Sequence, residues 1–280
     1  MMIKKGDTIG ILALAGTCKK KDIDIAVSNL TTLGYKVKLA QNIYNKNNYL
    51  AGTDKEKVES IHQFFLDKDV KLILNARGGY GSIRLIHKID YNIIKSNPKP
   101  FCGFSDITAL LLMLYKKTGL TTYHSPMLCS DFIQIEDYTI QNFFKTINKQ
   151  EMTFFCKTTY KAGYAEGILW GGNLSTIVSL CGQDFIPDEN FIFFTEDLNE
   201  PTYKIDRMFT QLFNIDKFKQ NCKAILIGDF LNIDNQEWLK NLFYNFNIPT
   251  IGGLEITHST RKITLPIGKN AMLNNNILSF

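Results

Sequence analysis

Short apolar segments alternate with helical patterns in the first part of the chain, and this alternation restricts the fold more than any other feature. Strand-like runs are predicted at residues 9–14, 36–39, 70–75, 101–104 and 120–123. The intervening segments carry apolar residues at helical spacing, and Gly34 and Gly119 stand where two helices should end. Strands joined by such helices form a mostly parallel sheet through right-handed crossovers. Functional residues should then follow the strands.

The pattern becomes less regular after a helical stretch at residues 136–147. Further along, the sequence predicts strands at 152–156, 167–174, 191–195 and 224–227, helices at 174–181 and 236–246, and a hairpin around 274–276. Fewer clear crossovers are visible in this half. We therefore predict an α/β protein with two domains, a parallel-sheet domain at residues 1–150 and a second domain at residues 151–280.

Composition excludes several classes of protein. With 45% hydrophobic and 21% charged residues, the chain has enough apolar surface for a packed core. The 32 basic residues are scattered, without the stripe that binds nucleic acid. No apolar run is long enough to span a membrane, and residues 9–15, directly behind Asp7, are predicted as a buried strand rather than a signal peptide. We expect neither nucleic acid nor membrane as a partner.

Cysteine usage indicates the compartment. The six cysteines lie far apart, without a C-x-x-C pair or an adjacent His at metal-ligand spacing. This spacing argues against zinc and against a disulfide framework. Free thiols at this frequency are typical of a reducing compartment, so the sequence predicts a cytoplasmic protein without a metal.

Ser105 lies at a predicted strand-to-helix corner, within the run CGFSD at residues 102–106 and ahead of an amphipathic helix predicted at residues 107–117. Such a corner lifts a side chain above the sheet, beside backbone N–H groups that can hold an oxyanion. Ile107 stands where the G-x-S-x-G elbow has its second glycine, so only half of that motif is present. Because Ser and Asp are also preferred N-caps, these residues fit either a nucleophile or a helix cap.

A glycine-rich corner with the sequence NARGGYGS occupies residues 75–82, again between a strand and a helix. Its backbone amides could cradle a phosphate or contribute a donor to an oxyanion hole. The run matches neither G-x-G-x-x-G nor the P-loop, which requires a Lys. A structural turn is an equally open interpretation.

Glu196 and His258 could complete a relay with Ser105. Glu196 follows the strand predicted at residues 191–195, and His258 precedes the run ITLPIG at residues 263–268. A serine nucleophile needs an imidazole to accept its proton, and the imidazole needs a carboxylate to fix its tautomer. The sequence leaves three alternatives open: Asp197 or Glu200 as the carboxylate, and His124 as the base.

Several blocks resemble the LD-carboxypeptidase family, serine peptidases that act on murein peptides. They are ARGGYG at residues 76–81, GFSDIT at 103–108, GILWGGNLS at 167–175, EDLNE at 196–200 with YKIDR at 203–207, and TLPIG at 264–268 after His258. The blocks occur in the family's order over nearly the whole chain, and together they are highly specific.

The resemblance implies a triad of Ser105, Glu196 and His258 that spans the two domains. It also assigns the oxyanion hole to the amide of Asp106 and one amide of the Gly78-Gly79 turn. Members of the family have a Rossmann-like N-terminal domain and a β-rich C-terminal domain, use no cofactor, and commonly form homodimers.

Two positions depart from the family pattern. Thr257 stands where the family usually has Gly before the histidine, and Ser125 replaces the Gly expected after His124. Neither change removes a triad side chain, but both could reshape the pocket.

The resemblance, together with the cysteine usage, therefore implies a cytoplasmic serine carboxypeptidase that releases the terminal D-alanine of murein tetrapeptides by cleaving an L,D bond, in cell-wall recycling. Arg77 is a candidate for the substrate carboxylate on charge alone. One alternative, which the resemblance also allows, is a microcin C immunity-type peptidase that cleaves peptidyl or aminoacyl nucleotides. The alternative from another class is a non-catalytic module that binds a nucleotide or a sugar.

Overall fold

Two β-sheets organise the chain in a computed structural model that describes residues 2–280. The first part of the chain alternates strands and helices. Its elements are β1 (Thr8–Leu12), α1 (Lys20–Thr32), β2 (Lys36–Leu39), α2 (Asp54–Leu66), β3 (Val70–Asn75), α3 (Tyr91–Ser96), β4 (Phe101–Gly103), α4 (Thr108–Thr118), β5 (Thr122–His124), α5 (Leu128–Asp131) and α6 (Asp137–Ile147). Each strand predicted here is confirmed, with ends that differ by at most two residues.

The later part contains more strands and also helices. Its elements are β6 (Thr153–Phe155), β7 (Thr158–Lys161), β8 (Tyr164–Asn173), α7 (Leu174–Ser179), β9 (Phe191–Leu198), α8 (Thr202–Phe213), α9 (Asp216–Asn221), β10 (Cys222–Leu231), α10 (Gln236–Tyr244), β11 (Thr250–Gly252), β12 (Leu265–Ile267), β13 (Asn270–Asn274) and β14 (Ile277–Ser279). The predicted hairpin is β13–β14.

Local sequence explains the boundaries of the early helices. Thr53 and Glu56 form a capping box at the start of α2, so two otherwise unpaired backbone donors are satisfied there. Gly119 ends α4 in the left-handed region, at φ 72°, as its position predicted. The strand β3 is buried at all but one of its residues, as expected for a parallel strand covered on both faces.

The first sheet has the strand order β12-β5-β4-β3-β1-β2 over the described residues. The strands from the first part of the chain are parallel, and β12 adds antiparallel to β5. The carboxyl ends of β1, β3, β4 and β5 therefore meet at one edge. The predicted α/β parallel-sheet architecture is confirmed.

The second sheet, ordered β6-β14-β13-β8-β9-β10-β11-β7, is mixed. Its central strands β8, β9, β10 and β11 are parallel, and antiparallel pairs flank them on both sides. Helical crossovers are fewer here than in the first sheet, as expected, and those present, α7, α8 with α9, and α10, link the parallel strands of this centre. The helix α8 was not predicted, although its buried face contains Ile205, Phe209 and Leu212 at helical spacing.

The two sheets are joined by close contacts around α4. Residues Thr108 to Leu114 of this helix are all buried, so its first two turns are covered all round rather than amphipathic as predicted. Gly172 and Asn173, at the end of β8 in the second sheet, lie against the start of this helix. A Cβ placed at Gly172 would lie 2.5 Å from Thr108 Cγ2, and the Asn173 amide donates to Thr108 Oγ1 at 3.2 Å. Only a glycine at this position lets the end of β8 approach α4. A boundary near residue 150 remains a prediction.

No helix between residues 2 and 280 is both long and apolar enough to cross a bilayer.

Candidate active site

Ser105 lies two residues after the end of β4 and has a backbone φ of 59°, a left-handed conformation that is uncommon for a residue other than glycine. A short 3-10 turn, Ser105–Ile107, separates it from α4. No side-chain capping bond forms at the start of this turn or of α4 within the described chain, so Ser105 does not act as a helix cap. A strained serine at a strand-to-helix corner is instead the geometry of a nucleophile elbow.

Asp106 is buried and holds the glycine-rich corner in place. Its carboxylate accepts the Ser82 amide at 2.9 Å, and its carbonyl accepts the Ser82 hydroxyl. Burial raises the pKa of Asp106 above its ordinary value, and the hydrogen bonds from Ser82 oppose that rise. The Asp106 side chain thus ties the serine corner to the neighbouring loop and leaves its backbone amide beside Ser105.

Gly78 lies against Ser105. A Cβ at Gly78 would stand 2.9 Å from Ser105 Cβ, 3.0 Å from its Oγ and 3.5 Å from the Asp106 amide nitrogen, so a side chain here would displace the serine. Its carbonyl accepts the Gly16 amide at 3.1 Å, and Gly79 has a φ of 115°. The corner therefore brings bare backbone close to the serine, as an oxyanion hole requires.

Glu196 and His258, which are 62 positions apart in sequence, meet in a short contact. The His258 Nδ1 and Glu196 Oε2 atoms are 2.6 Å apart, and the Glu196 side chain is fully buried. Within residues 2–280 no partner is found for His258 Nε2. A carboxylate that accepts the Nδ1 proton leaves Nε2 able to take a proton from a neighbouring hydroxyl.

The path of the chain brings these residues together. Glu196 lies near the end of β9 in the second sheet, and Ser105 follows β4 in the first. His258 lies between β11 of the second sheet and β12 of the first, so its loop crosses from one sheet to the other. Phe104 supports the histidine from the serine side, with ring centroids 4.9 Å apart and an edge-to-face orientation.

The other candidate acids have different contacts. Asp197 accepts Asn173 Nδ2 at 3.0 Å and the Ser175 and Leu198 amides at 2.8 Å, so it holds the turn between β8 and α7. Burial, with the charge of Glu196, raises the pKa of Asp197 to about 6. Glu200 instead forms an ion pair with Lys204 at 3.5 Å.

His124, the alternative base, is buried in an aromatic cluster with Phe104 and Phe194 at centroid distances of 6.0 and 5.4 Å. Burial lowers its pKa to about 3, and the charge of Lys262 adds to this effect. An imidazole with so low a pKa is a weak base, and His124 does not line the pocket described next.

A cavity of about 380 Å³, the Ser105 pocket, opens at the carboxyl edge of the first sheet. It is lined by Cys18, Lys19, Asp22, Arg77, Gly78, Gly79, Phe104, Ser105, Met127, Cys129, Ser130 and His258. The lining follows β1, β3, β4 and β5, as predicted for a parallel sheet. Arg77 is exposed at its wall, and its guanidinium donates to the Thr17 carbonyl at 3.0 Å. Five predicted site residues thus share one pocket, while Glu196 and Asp106 lie buried behind it.

Sequence reasoning missed a buried ion pair next to the site. Lys262 Nζ lies 2.6 Å from Asp131 Oδ1, with the two side chains only 3% and 2% exposed. The same ammonium lies 4.0 Å from the Phe104 ring centroid, on the ring that supports His258. Nothing in the sequence pattern distinguishes this lysine from the surface lysines, because its burial depends on where residues 253–264 cross between the sheets.

The two departures from the family pattern are buried and do not line the Ser105 pocket. Thr257 Oγ1 accepts the Ser259 amide at 3.0 Å and so shapes the turn that carries the histidine. The Ser125 amide donates to the Gly103 carbonyl at 3.0 Å. Both residues act on the backbone around the site rather than on the surface that faces a substrate.

Comparison with known proteins agrees with this geometry. A family model for the N-terminal domain of LD-carboxypeptidases matches residues 9–125, and one for the C-terminal domain matches residues 166–273. A probable murein peptide carboxypeptidase from Bacillus subtilis is 36% identical over 97% of this chain and 90% of its own length. The microcin C7 self-immunity protein MccF from Escherichia coli is 27% identical over 94% and 89%.

A crystal structure of muramoyltetrapeptide carboxypeptidase from Oxalobacter formigenes is also similar, with a TM-score of 0.88, 28% identity and 97% of both chains covered. The fold and the site thus define a serine hydrolase built on two sheets. The chain belongs to the LD-carboxypeptidase family and is a serine carboxypeptidase. The non-catalytic alternative is therefore wrong, and the Rossmann-like and β-rich parts expected from the resemblance are present.

Proposed function

We propose that this carboxypeptidase cleaves the L,D bond before the terminal D-alanine of a murein tetrapeptide, with Ser105 as nucleophile, His258 as base and Glu196 as the orienting acid. One observation carries the proposal. The buried 2.6 Å contact between His258 Nδ1 and Glu196 Oε2 belongs to an imidazole that lines the same pocket as Ser105. A buried carboxylate behind an imidazole beside a strained serine is the arrangement that acyl transfer needs.

The reaction follows from these positions. His258 Nε2 takes the Ser105 proton while Oγ attacks the carbonyl carbon of the L,D bond. The amides of Asp106 and of the Gly78-Gly79 turn stabilise the resulting oxyanion. The C–N bond then breaks as the imidazolium gives its proton to the D-alanine amine. A water molecule, deprotonated by His258, releases the acyl group from Ser105.

Charged side chains around the pocket support a small peptide as substrate. Arg77 is exposed at the wall formed after β3, where its guanidinium can pair with the terminal carboxylate. Lys19 and Asp22 line the same pocket with opposite charges, and a tetrapeptide with a diamino acid carries both signs as well.

We place the enzyme in the cytoplasm, as a homodimer that recycles cell-wall peptides. The six free cysteines support a reducing compartment. The homodimer rests on the family resemblance alone. No cofactor has a part in the reaction proposed above.

The direct test offers three substrates side by side: a free murein tetrapeptide ending in D-alanine, its L-alanine epimer, and an aminoacyl-sulfamoyl nucleotide. We expect release of D-alanine and at least about 10²-fold slower cleavage of the epimer, because inversion displaces the carboxylate or the methyl group. Mass spectrometry follows the products, and Ser105→Ala controls for contaminating peptidase. Equal rates on both epimers would exclude the LD assignment.

The similarity to the microcin C7 self-immunity protein supports a second candidate, cleavage of peptidyl or aminoacyl nucleotides. The same three-substrate assay separates the two activities. A higher kcat/KM for the sulfamoyl nucleotide than for the tetrapeptide would favour the immunity-type reaction.

A further inference from the structure

Two cysteines line the Ser105 pocket, and the proposed reaction uses neither. Cys18 lies in the loop after β1, and Cys129 lies in α5, 111 positions away in sequence, yet both residues line the cavity that holds Ser105 and His258. Both are free thiols and both are partly exposed. The remaining four cysteines do not line this pocket.

The backbone on either side of Arg77 holds the two thiol-bearing segments. The Cys129 amide donates to the Ala76 carbonyl at 2.8 Å, and Arg77 Nη1 donates to the carbonyl of Thr17, the neighbour of Cys18. Both segments are therefore fixed to the end of β3. A cationic guanidinium lies beside the thiols, in the setting that favours a thiolate.

The two thiols also interact within the pocket, and this interaction shifts their acidities in opposite directions. A hydrogen bond from Cys129, together with the charge of Arg77, lowers the pKa of Cys18 below its ordinary value, although burial opposes this. The same hydrogen bond and burial raise the pKa of Cys129. Burial also raises the pKa of Cys181, the other partly exposed cysteine. Cys18 is thus the thiol best able to react as a nucleophile.

We propose that Cys18 and Cys129 form a thiol modification site within the Ser105 pocket, at which Cys18 reacts with a peroxide and Cys129 resolves the product to a disulfide. The Cys18 thiolate attacks one peroxide oxygen, the O–O bond breaks, and hydroxide leaves, which gives a sulfenic acid. The Cys129 sulfur then attacks the Cys18 sulfur, the S–O bond breaks, and water leaves with the thiol proton. Two thiols are oxidised and one peroxide is reduced.

Oxidation acts on the serine through the loop that carries Cys18. A disulfide draws the two sulfurs to about 2.05 Å, closer than any hydrogen-bonded pair. The loop before Cys18 contains Gly16, whose amide holds the Gly78 carbonyl at 3.1 Å, and Gly78 packs on Ser105. Displacement of this loop moves the backbone next to the serine. The thiol chemistry is independent of the proposed function, and only its effect on turnover rests on it.

The experiment treats the full-length protein with hydrogen peroxide near neutral pH. Intact-mass and peptide mass spectrometry locate the modification, with dimedone as a trap for sulfenic acid. A fluorophosphonate probe reports Ser105 reactivity. Four proteins are compared: wild type, Cys18→Ser, Cys129→Ser and, as the matched control, Cys181→Ser. For each protein, the mass and the Ser105 labelling rate after peroxide are compared with those of its own untreated sample.

We expect wild type and Cys181→Ser to lose two hydrogens in mass and at least about tenfold in Ser105 labelling rate, both restored by dithiothreitol. Cys129→Ser should stop at a dimedone-trapped Cys18, and Cys18→Ser should keep its labelling rate. Peroxide that leaves both cysteines reduced, or equal sensitivity of Cys18→Ser and wild type, would overturn the proposal. Oxidation of Met127, which also lines the pocket, is distinguished from disulfide formation because dithiothreitol does not reverse it. A wild type that forms the disulfide but is never labelled at Ser105 would count against the proposed function only.

Discussion

Replacement of Lys262 by Met tests whether the buried ion pair beside the site fixes the loop that carries His258. The Lys262 and Asp131 side chains are 3% and 2% exposed, and Lys262 Nζ lies 2.6 Å from Asp131 Oδ1. Water therefore cannot solvate either charge when its partner is removed. Asp131 also accepts the Met127 amide at 2.8 Å and the Ser130 hydroxyl at 2.6 Å. Removal of one partner of a buried pair costs about 3–5 kcal/mol, because the other charge stays buried and uncompensated.

The structure also predicts the outcome of a double replacement. Lys262→Met and Asp131→Asn should each lower the free energy of unfolding by roughly 3 kcal/mol or more, whereas the double variant should lose clearly less than their sum, since no unpaired charge then remains. Urea titration followed by circular dichroism measures all four proteins. Strictly additive losses, within about 0.5 kcal/mol, would refute the reasoning from an uncompensated charge.

Lys116→Met is the matched control, because Lys116 is also largely covered, at 10% exposure, but pairs with Asp188, which is 77% exposed. A pair open to water on one side should contribute no more than about 1 kcal/mol. The Lys262 ammonium lies on Phe104, which supports His258 edge to face. We therefore expect Lys262→Met, and not Lys116→Met, to lower kcat with little change in KM. Equal kcat in the two variants would show that the ion pair only stabilises the fold.

Three further predictions concern single side chains. Ser105→Ala should lower kcat by on the order of 10⁶ with little change in melting temperature, and activity within about tenfold of wild type would exclude the nucleophile. Glu196→Gln should cost about 10⁴ in kcat and Glu200→Gln less than about tenfold, and the reverse order would move the acid to Glu200. Because burial depresses the pKa of His124 to about 3 from 6.5, the unfolded chain binds more protons between these values, so stability decreases by up to about 1.4 kcal/mol for each unit by which the pH is lowered. Urea midpoints from pH 7 to 4 should therefore fall less steeply in His124→Gln, and parallel curves would contradict a buried neutral imidazole.

Local sequence patterns were enough to predict the parallel sheet and the corners that carry the candidate catalytic residues. Short apolar runs and helical spacing are local signals, and Gly34 and Gly119 mark helix ends by their own backbone freedom. The glycine-rich corner and Ser105 could be placed after strands for the same reason. The helix α8 has an equally regular apolar face and was nevertheless not predicted.

The acid that meets the imidazole is selected by tertiary packing. Glu196 and Asp197 are neighbours in sequence, but successive residues of a strand point to opposite faces, so one reaches His258 and the other the turn after β8. The buried Lys262–Asp131 pair and the placement of Cys18 and Cys129 in one pocket likewise bring together residues more than 100 positions apart. Such contacts arise where residues 253–264 cross between the sheets and where the ends of parallel strands meet. Local sequence patterns predict neither the crossing of residues 253–264 nor the meeting of strand ends, because both depend on how elements distant in sequence pack together.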